Sequence, residues 1–178
     1  ETDADTDPLP AGSVAFLGGI AADAPLPTVL GPDAMADLGA LRYEQFEPLR
    51  NDATLIWRVA HNRIRLYDWG RDDCCLSRGS TSATLIDAWQ GEGRALALQP
   101  GDVLVLKEVR GARSGVEGDA EPTRCCAVRL TAVTPIEDPL LLVAAGDGSQ
   151  PRPTPLLRVE WDAADALSES FDVASFIA

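Results

Sequence analysis

The chain is poor in the residues that do most enzyme chemistry and most polyanion binding. Among its 178 residues there is one histidine, His61, one lysine, Lys107, and one methionine. A Ser-His-Asp or Cys-His mechanism would therefore have to run through His61. Acids outnumber bases 28 to 15, a formal charge of −13, and this disfavours binding along a phosphate backbone. No apolar run reaches the roughly 18 residues of a membrane-spanning helix. C-x-x-C knuckles, internal repeats and the D-x-D-x-D-G spacing of a calcium loop are missing. The opening stretch "ETDADTDPLPAGS" lacks the basic and apolar regions of a signal peptide, so it reads as a solvated tail or as the point where a longer chain was cut. These absences predict a chain that meets reducing cytosol, keeps its thiols free and has no membrane span.

The charge is concentrated at the ends. Residues 1–60 carry ten acids and three bases and residues 137–178 carry eight and two, whereas 61–136 carry ten of each. Arginine supplies 14 of the 15 bases, which suits planar, bidentate contacts between proteins.

Period-two patterning dominates from residue 54 onward. "TLIWRVA" (54–60), "NRIRLYDW" (62–69), "SATLIDAW" (82–89), "CCAVRLTAV" (125–133), "PLLLVAA" (139–145) and "PLLRVEW" (155–161) all read as strands. In "LQPGDVLVLKEV" (98–109), Pro-Gly-Asp makes a turn into a strand over Val103–Leu106 that looks buried. "GRDD" (70–73) is a turn cluster, and 110–124 is a polar, glycine-bearing loop long enough to carry function. Helix is scarce. "GPDAMADLGALRYEQFEPL" (31–49) holds one candidate, with Asp33 as N-cap and Met35, Leu38 and Leu41 at helical spacing, and 162–170 could make two turns. The pattern predicts a mainly β, compact barrel-like or sandwich domain with one or two short helices, its core in 54–145 and its four tryptophans inside.

The four cysteines form two doublets, Cys74-Cys75 and Cys125-Cys126. Neighbours in a strand face opposite ways, so a doublet cannot easily give both thiolates to one ion. Three readings stand: small core residues, a metal site or a disulfide. Core packing predicts one cysteine inward and one outward per doublet, with the inward pair touching if the two strands are neighbours. His61 falls beside Asn62 at a turn, where a hydrogen bond to the backbone fits better than a general base. "SRGSTSATL" (77–85) holds no G-x-S-x-G elbow, and "GEGR" (91–94) is too short for a phosphate loop. No enzyme signature and no cofactor follow from these residues.

Four blocks, taken in order, carry a resemblance: "HNRIRLYDWGRDDCCLSRGSTSATL" (61–85), "LQPGDVLVLKEVRGARSGVEGDAEPTR" (98–124), "AVRLTAV" (127–133) and "VEWDAADAL" (159–167), with "YEQFEPLR" (43–50) at its near edge. Together they resemble a segment of the baseplate assembly proteins, J-like components of phage tails and of phage-tail-like contractile injection systems. The likeness covers 43–168, leaving 1–42 as an acidic, partly ordered extension and 169–178 as a C-terminal segment. Those proteins are much longer than 178 residues, so the chain would be one domain of such a protein or a divergent stand-alone version. The resemblance implies a structural, wedge-type subunit that assembles in the cytoplasm with copies of itself and other baseplate proteins, without catalytic residues. Two departures stand out. The family pattern has histidine where this chain has Arg124 and Cys126, which strengthens the metal alternative among Cys74, Cys75, Cys125 and Cys126. After "WDAADAL" the family continues with proline and apolar residues, whereas "SESFDVASFIA" follows here.

On this reading, partner contacts fall on Arg63 and Arg65, on one face of strand 62–69, and on Arg110 and Arg113 of the long loop, all aimed at acidic surfaces. The rival is a small β-barrel that binds a ligand such as a sugar, or a self-processing hydrolase, since "PGDVLVL" also suits small autoproteolytic barrels. The first would need aromatic residues gathered on one outer face; the second needs a nucleophile at the start of the domain and a terminal His-Asn.

Overall fold

The computed structural model describes residues 3–19, 38, 42–48, 54–144 and 150–173. The fold is mainly β: its sheets are small, helix is confined to short turns, and no barrel closes among the described residues. The sandwich form of the expected class fits, and the barrel form does not.

Contacts divide the chain at Val59/Ala60. In the first unit, β1 (Leu9–Pro10) pairs with β4 (Thr54–Leu55), and β2 (Phe16–Gly18) with β3 (Glu44–Phe46). Phe16 tilts against Trp57 at 6.0 Å, and the Thr6 N–H donates to the Trp57 carbonyl. Asp33, Met35 and Leu41 of the expected helix lie outside the described residues. Its last part is corrected: Glu44–Phe46 is a strand. β3 and β4 pair with N-terminal strands, so the division falls later than the boundary expected near residue 43.

The second unit, residues 60–178, is built on a four-stranded antiparallel sheet, in the order β6 (Ser82–Ile86), β11 (Arg152–Trp161), β10 (Cys125–Val143), β9 (Val103–Lys107). The turn into β9 forms as its residues require. Gly101 takes a φ of 99°, and the Asp102 carboxylate accepts the Gln99 N–H at 2.8 Å. Alternation then sends Ala83, Leu85, Val128, Leu130, Leu157, Val159 and Trp161 to one face, the inner one, where Leu96, Leu167 and Phe171 close the core. Burying each such leucine or valine contributes about 1.5–3 kcal/mol. A bulge between Leu130 and Ala132 flips the parity of β10, so that Val133 also turns inward.

Several strand expectations need correction. Residues 54–60 give only β4 and a 3-10 turn, Val59–His61. Residues 62–69 contribute a single bridge, Leu66 to Leu85, flanked by the bonds Tyr67 N–H to Thr84 carbonyl and Ile86 N–H to Arg65 carbonyl. β9 is an edge strand rather than a buried one, with Val103 and Val105 half or more exposed. The core is not confined to 54–145, because β11 is its central strand and receives a neighbour on each side. Residues 162–170 give a 3-10 turn, Ala163–Asp165, capped by Asp162, which accepts the Ala164 N–H. Trp161 alone of the four tryptophans is fully buried; Trp69 is 53% exposed. Trp89 is clasped between the guanidinium groups of Arg94 and Arg152, 3.9 and 3.5 Å from its ring centre. It sits on the short hairpin of β7 (Trp89–Gln90) and β8 (Gly93–Arg94).

Candidate functional site

The opposite, outer face of the sheet carries Thr84 and Ile86 on β6, Leu156 and Arg158 on β11, and Ile136 and Asp138 on β10, as their registers require. Leu156 is nonetheless 0% exposed, so this face is roofed. Part of the roof is Tyr67. Its backbone bonds Thr84, while its hydroxyl donates to Asp138 Oδ2 at 2.5 Å. Thr84 is level with Arg158 and Asp138 with Thr154, so the phenol crosses the face with Leu156 midway.

Beside Tyr67 opens a cleft of about 370 Å³, lined by Leu66, Tyr67, Trp69, Cys74, Cys75, Leu76, Ser82, Ala83, Thr84, Ile136, Arg158 and Val173. The motif 61–85 supplies most of its wall. Trp69 meets Tyr67 edge to face at 5.1 Å, and its φ of 58°, followed by Gly70 at 66°, turns the chain sharply back. The return strand β5 (Cys75–Leu76) is held by β12 (Phe171–Asp172), and the Val173 N–H donates to the Cys74 carbonyl.

In the cleft, the Tyr67 phenol and the Cys74 thiol are both held in their protonated forms. The bond donated to Asp138 holds the Tyr67 phenol protonated, pushing its pKa up to about 12, and in turn lowers that of Asp138. Burial, then the nearby Asp68 carboxylate, raise the Cys74 thiol, which keeps it from the nucleophilic thiolate form. Arg158 pairs with Glu160 at 3.3 Å, with both side chains about half exposed. His61 takes no part: its Nε2 lies 2.6 Å from the Leu96 carbonyl, and since a carbonyl only accepts, that nitrogen carries the proton.

The four arginines singled out from the sequence do not form one patch. Arg63 and Arg65 are exposed beyond β6 and make no ion pair among the described residues. Arg110 and Arg113 lie beyond β9, where Arg110 reaches Glu117 at 3.8 Å. Counting the bridged segment at Leu66, four strand spacings separate the two edges, about 19 Å. The loop 110–124 is a folded unit. Gly111 is buried against Asp119 and Ser114, the Gly115 N–H returns to the Gly111 carbonyl, and Glu108 anchors the loop by accepting the Glu121 N–H and pairing with Arg124 at 3.2 Å.

The two cysteine doublets have different settings. Cys126 packs against the core while Cys125 is exposed, and Cys74 is half-buried in the outer cleft beside exposed Cys75. One doublet pairs with β12 and the other with β9, so the two strands are not neighbours and the condition for contact between the doublets is not met. All four are free thiols, and no group of three or more histidine, cysteine or acidic side chains converges among the described residues.

Sequence reasoning missed Tyr67–Asp138, whose members are far apart in the chain, and the placing of Arg152 against the Trp89–Arg94 hairpin. The one local signal was "EDPL" (137–140), in which Asp-Pro marks a break inside a strand. Comparison with protein-family models, with curated proteins and with solved structures finds no match.

Proposed function

We propose that this chain is a non-catalytic assembly module that works by joining other protein surfaces. More particularly, we read it as part of a wedge-type baseplate subunit of a phage-tail-like contractile injection system, assembled in the cytoplasm with copies of itself and with other baseplate proteins. The observation that carries the reading is the amount of large apolar side chain left open: Val103 and Val105 on the edge strand β9, and Leu140, Leu141 and Leu142 at the bulge of β10, are all half or more exposed. Side chains of that kind on ordered backbone mark interaction surfaces. The ordered blocks of resemblance in 43–168 supply the particular system. The test is to tag the chain in the producing cell and sediment sheath-bearing particles. Stoichiometric recovery with the particles, and sheaths without baseplates when the gene is deleted, are expected. A chain that remains in the unsedimented fraction of particle-producing cells overturns the reading.

One observation favours a second reading, a ligand-binding cleft: Tyr67 and Trp69 gather on one outer face beside Arg158. Saturable quenching of tryptophan fluorescence by a small sugar, lost in Trp69→Ala, would favour it. Nothing comparable favours self-processing, because the His61 ring is committed to the Leu96 carbonyl.

A further inference from the structure

Between Asp138 and Leu142 the register of β10 against β11 slips: Asp138 pairs with Thr154, yet Leu142 pairs with Pro153. Residues 139–141 are looped out, and three polar contacts fix the loop. Asp138 Oδ1 accepts the Leu140 N–H at 2.9 Å, Asp138 Oδ2 accepts the Tyr67 hydroxyl, and buried Thr154 donates its hydroxyl to the Leu141 carbonyl at 2.7 Å. The product of this scaffolding is an apolar knob. Leu140 is 93% exposed, with Leu141 and Leu142 at 52% and 57%. Bulges of this sort re-aim side chains, and a leucine so exposed gains nothing for the fold.

A candidate socket, the cleft beside Tyr67 with its mixed apolar and polar lining, opens on the face that carries Asp138. Ile136, in the wall of the outer cleft, precedes Leu140 by four residues, at most about 14 Å of chain. A dry cavity of about 150 Å³ takes up benzene, so a cleft of about 370 Å³ has room for a leucine side chain. Its rim offers the half-exposed indole of Trp69, and guanidinium groups stand nearby: Arg158 in the wall, and Arg65, which shares the Tyr67 face. The acid, Asp138, stands on the knob. When knob and socket neighbour each other on one face, a two-fold axis between them brings each knob to the other copy's socket, the self-complementary arrangement of an isologous dimer.

We infer that the outer face is a self-association surface, in which Leu140 of one copy enters the Tyr67–Trp69 cleft of a second copy and Asp138 approaches that copy's Arg158. The exposed apolar side chains of knob and cleft are then buried together, and the contact is independent of the baseplate reading.

The test is sedimentation velocity on the full 178-residue chain over about 1 µM to 1 mM, the span of weak to moderate dimers. A concentration-dependent dimer is expected. Leu140→Asp and Trp69→Ala should each weaken it at least tenfold while leaving the fold intact by circular dichroism; Leu140→Asp should also keep the melting temperature, whereas Trp69→Ala should lower it slightly because the indole packs on Tyr67. Mixing the two variants restores one intact knob-and-socket pair, so the mixture should associate more strongly than either variant alone. Val105→Lys, on the open edge of β9, should leave the dimer intact. A chain that stays monomeric up to 1 mM overturns the proposal. So does a dimer that survives Leu140→Asp, and so does one that Val105→Lys dissolves while both outer-face variants keep it.

Discussion

Leu130 and Leu140 stand ten residues apart on one strand, and one is 1% exposed while the other is 93% exposed. β10 changes partner along its length. Over Cys125–Arg129 it pairs with β9, and the inner face of this half meets the core with Leu96, Leu167 and Phe171. From Leu130 onward it pairs with β11 instead, and beyond Asp138 a side-chain scaffold holds residues 139–141 out of the ladder. Residue type therefore does not decide what a leucine does here. What packs over each half decides it, and the end with no core against it is left to offer its leucines to something else.

The sharpest way to break this comparison is to truncate both leucines. Leu130→Ala should cost about 2–5 kcal/mol, because a cavity is left in a closed core. Leu140→Ala should stay within about 0.5 kcal/mol of the parent by urea titration of the dilute, monomeric chain. Similar losses at both positions would mean that the knob packs on its own chain.

A smaller effect should come from the scaffold. Thr154→Val keeps the shape but leaves the Leu141 carbonyl without its donor, so about 1–2 kcal/mol should be lost and backbone amides of 139–142 should exchange faster. Unchanged exchange there would show that the bulge is held by its backbone alone.

The third comparison uses pH. The Tyr67 phenol is held above its ordinary value of 10.0, at about 12, so between these values the unfolded chain has released a proton that the folded chain keeps. Stability contributed by this bond is thus complete below pH 10.0 and declines as pH rises toward about 12. At the acid end the lowered Asp138 works in the opposite sense: its contribution is lost as pH falls through its depressed value. Tyr67→Phe should flatten the alkaline decline relative to the parent and remove the late tyrosinate absorbance step. An identical alkaline slope in both chains would argue that the bond to Asp138 does not form in solution.

The cysteines give the smallest differences. Cys126→Ala should cost about 1 kcal/mol and Cys125→Ala little, since only the former packs against the core. With a thiol reagent, exposed Cys75 and Cys125 should react before Cys74 and Cys126, whose pKa values are raised chiefly by burial. The reverse order of labelling would place the doublets the other way round.

The sequence alone determined what local physics determines. Period-two runs at 82–86, 103–107, 125–133 and 155–161 are strands because their side chains alternate between core and solvent. Pro100-Gly101-Asp102 turns because only glycine sits easily at a φ of 99°, and Asp102 can bond the chain behind it. The Cys125-Cys126 doublet splits between solvent and core for the same reason of alternation, whereas Cys74 and Cys75, at the start of β5, both line the outer cleft. Tertiary structure decided everything that depends on which segments become neighbours. Val103 and Leu157 have near-identical local patterns, yet the first lies on an edge and the second between two strands. Arg65 and Arg110 look like one basic surface in a list of arginines, and the sheet holds them about four strand spacings apart. Tyr67 and Asp138 are 71 residues apart along the chain and share a proton-held bond across the outer face. Nothing in either residue's own surroundings specifies that meeting, because strand order is set by the summed burial of a whole core and only then fixes which side chains face one another.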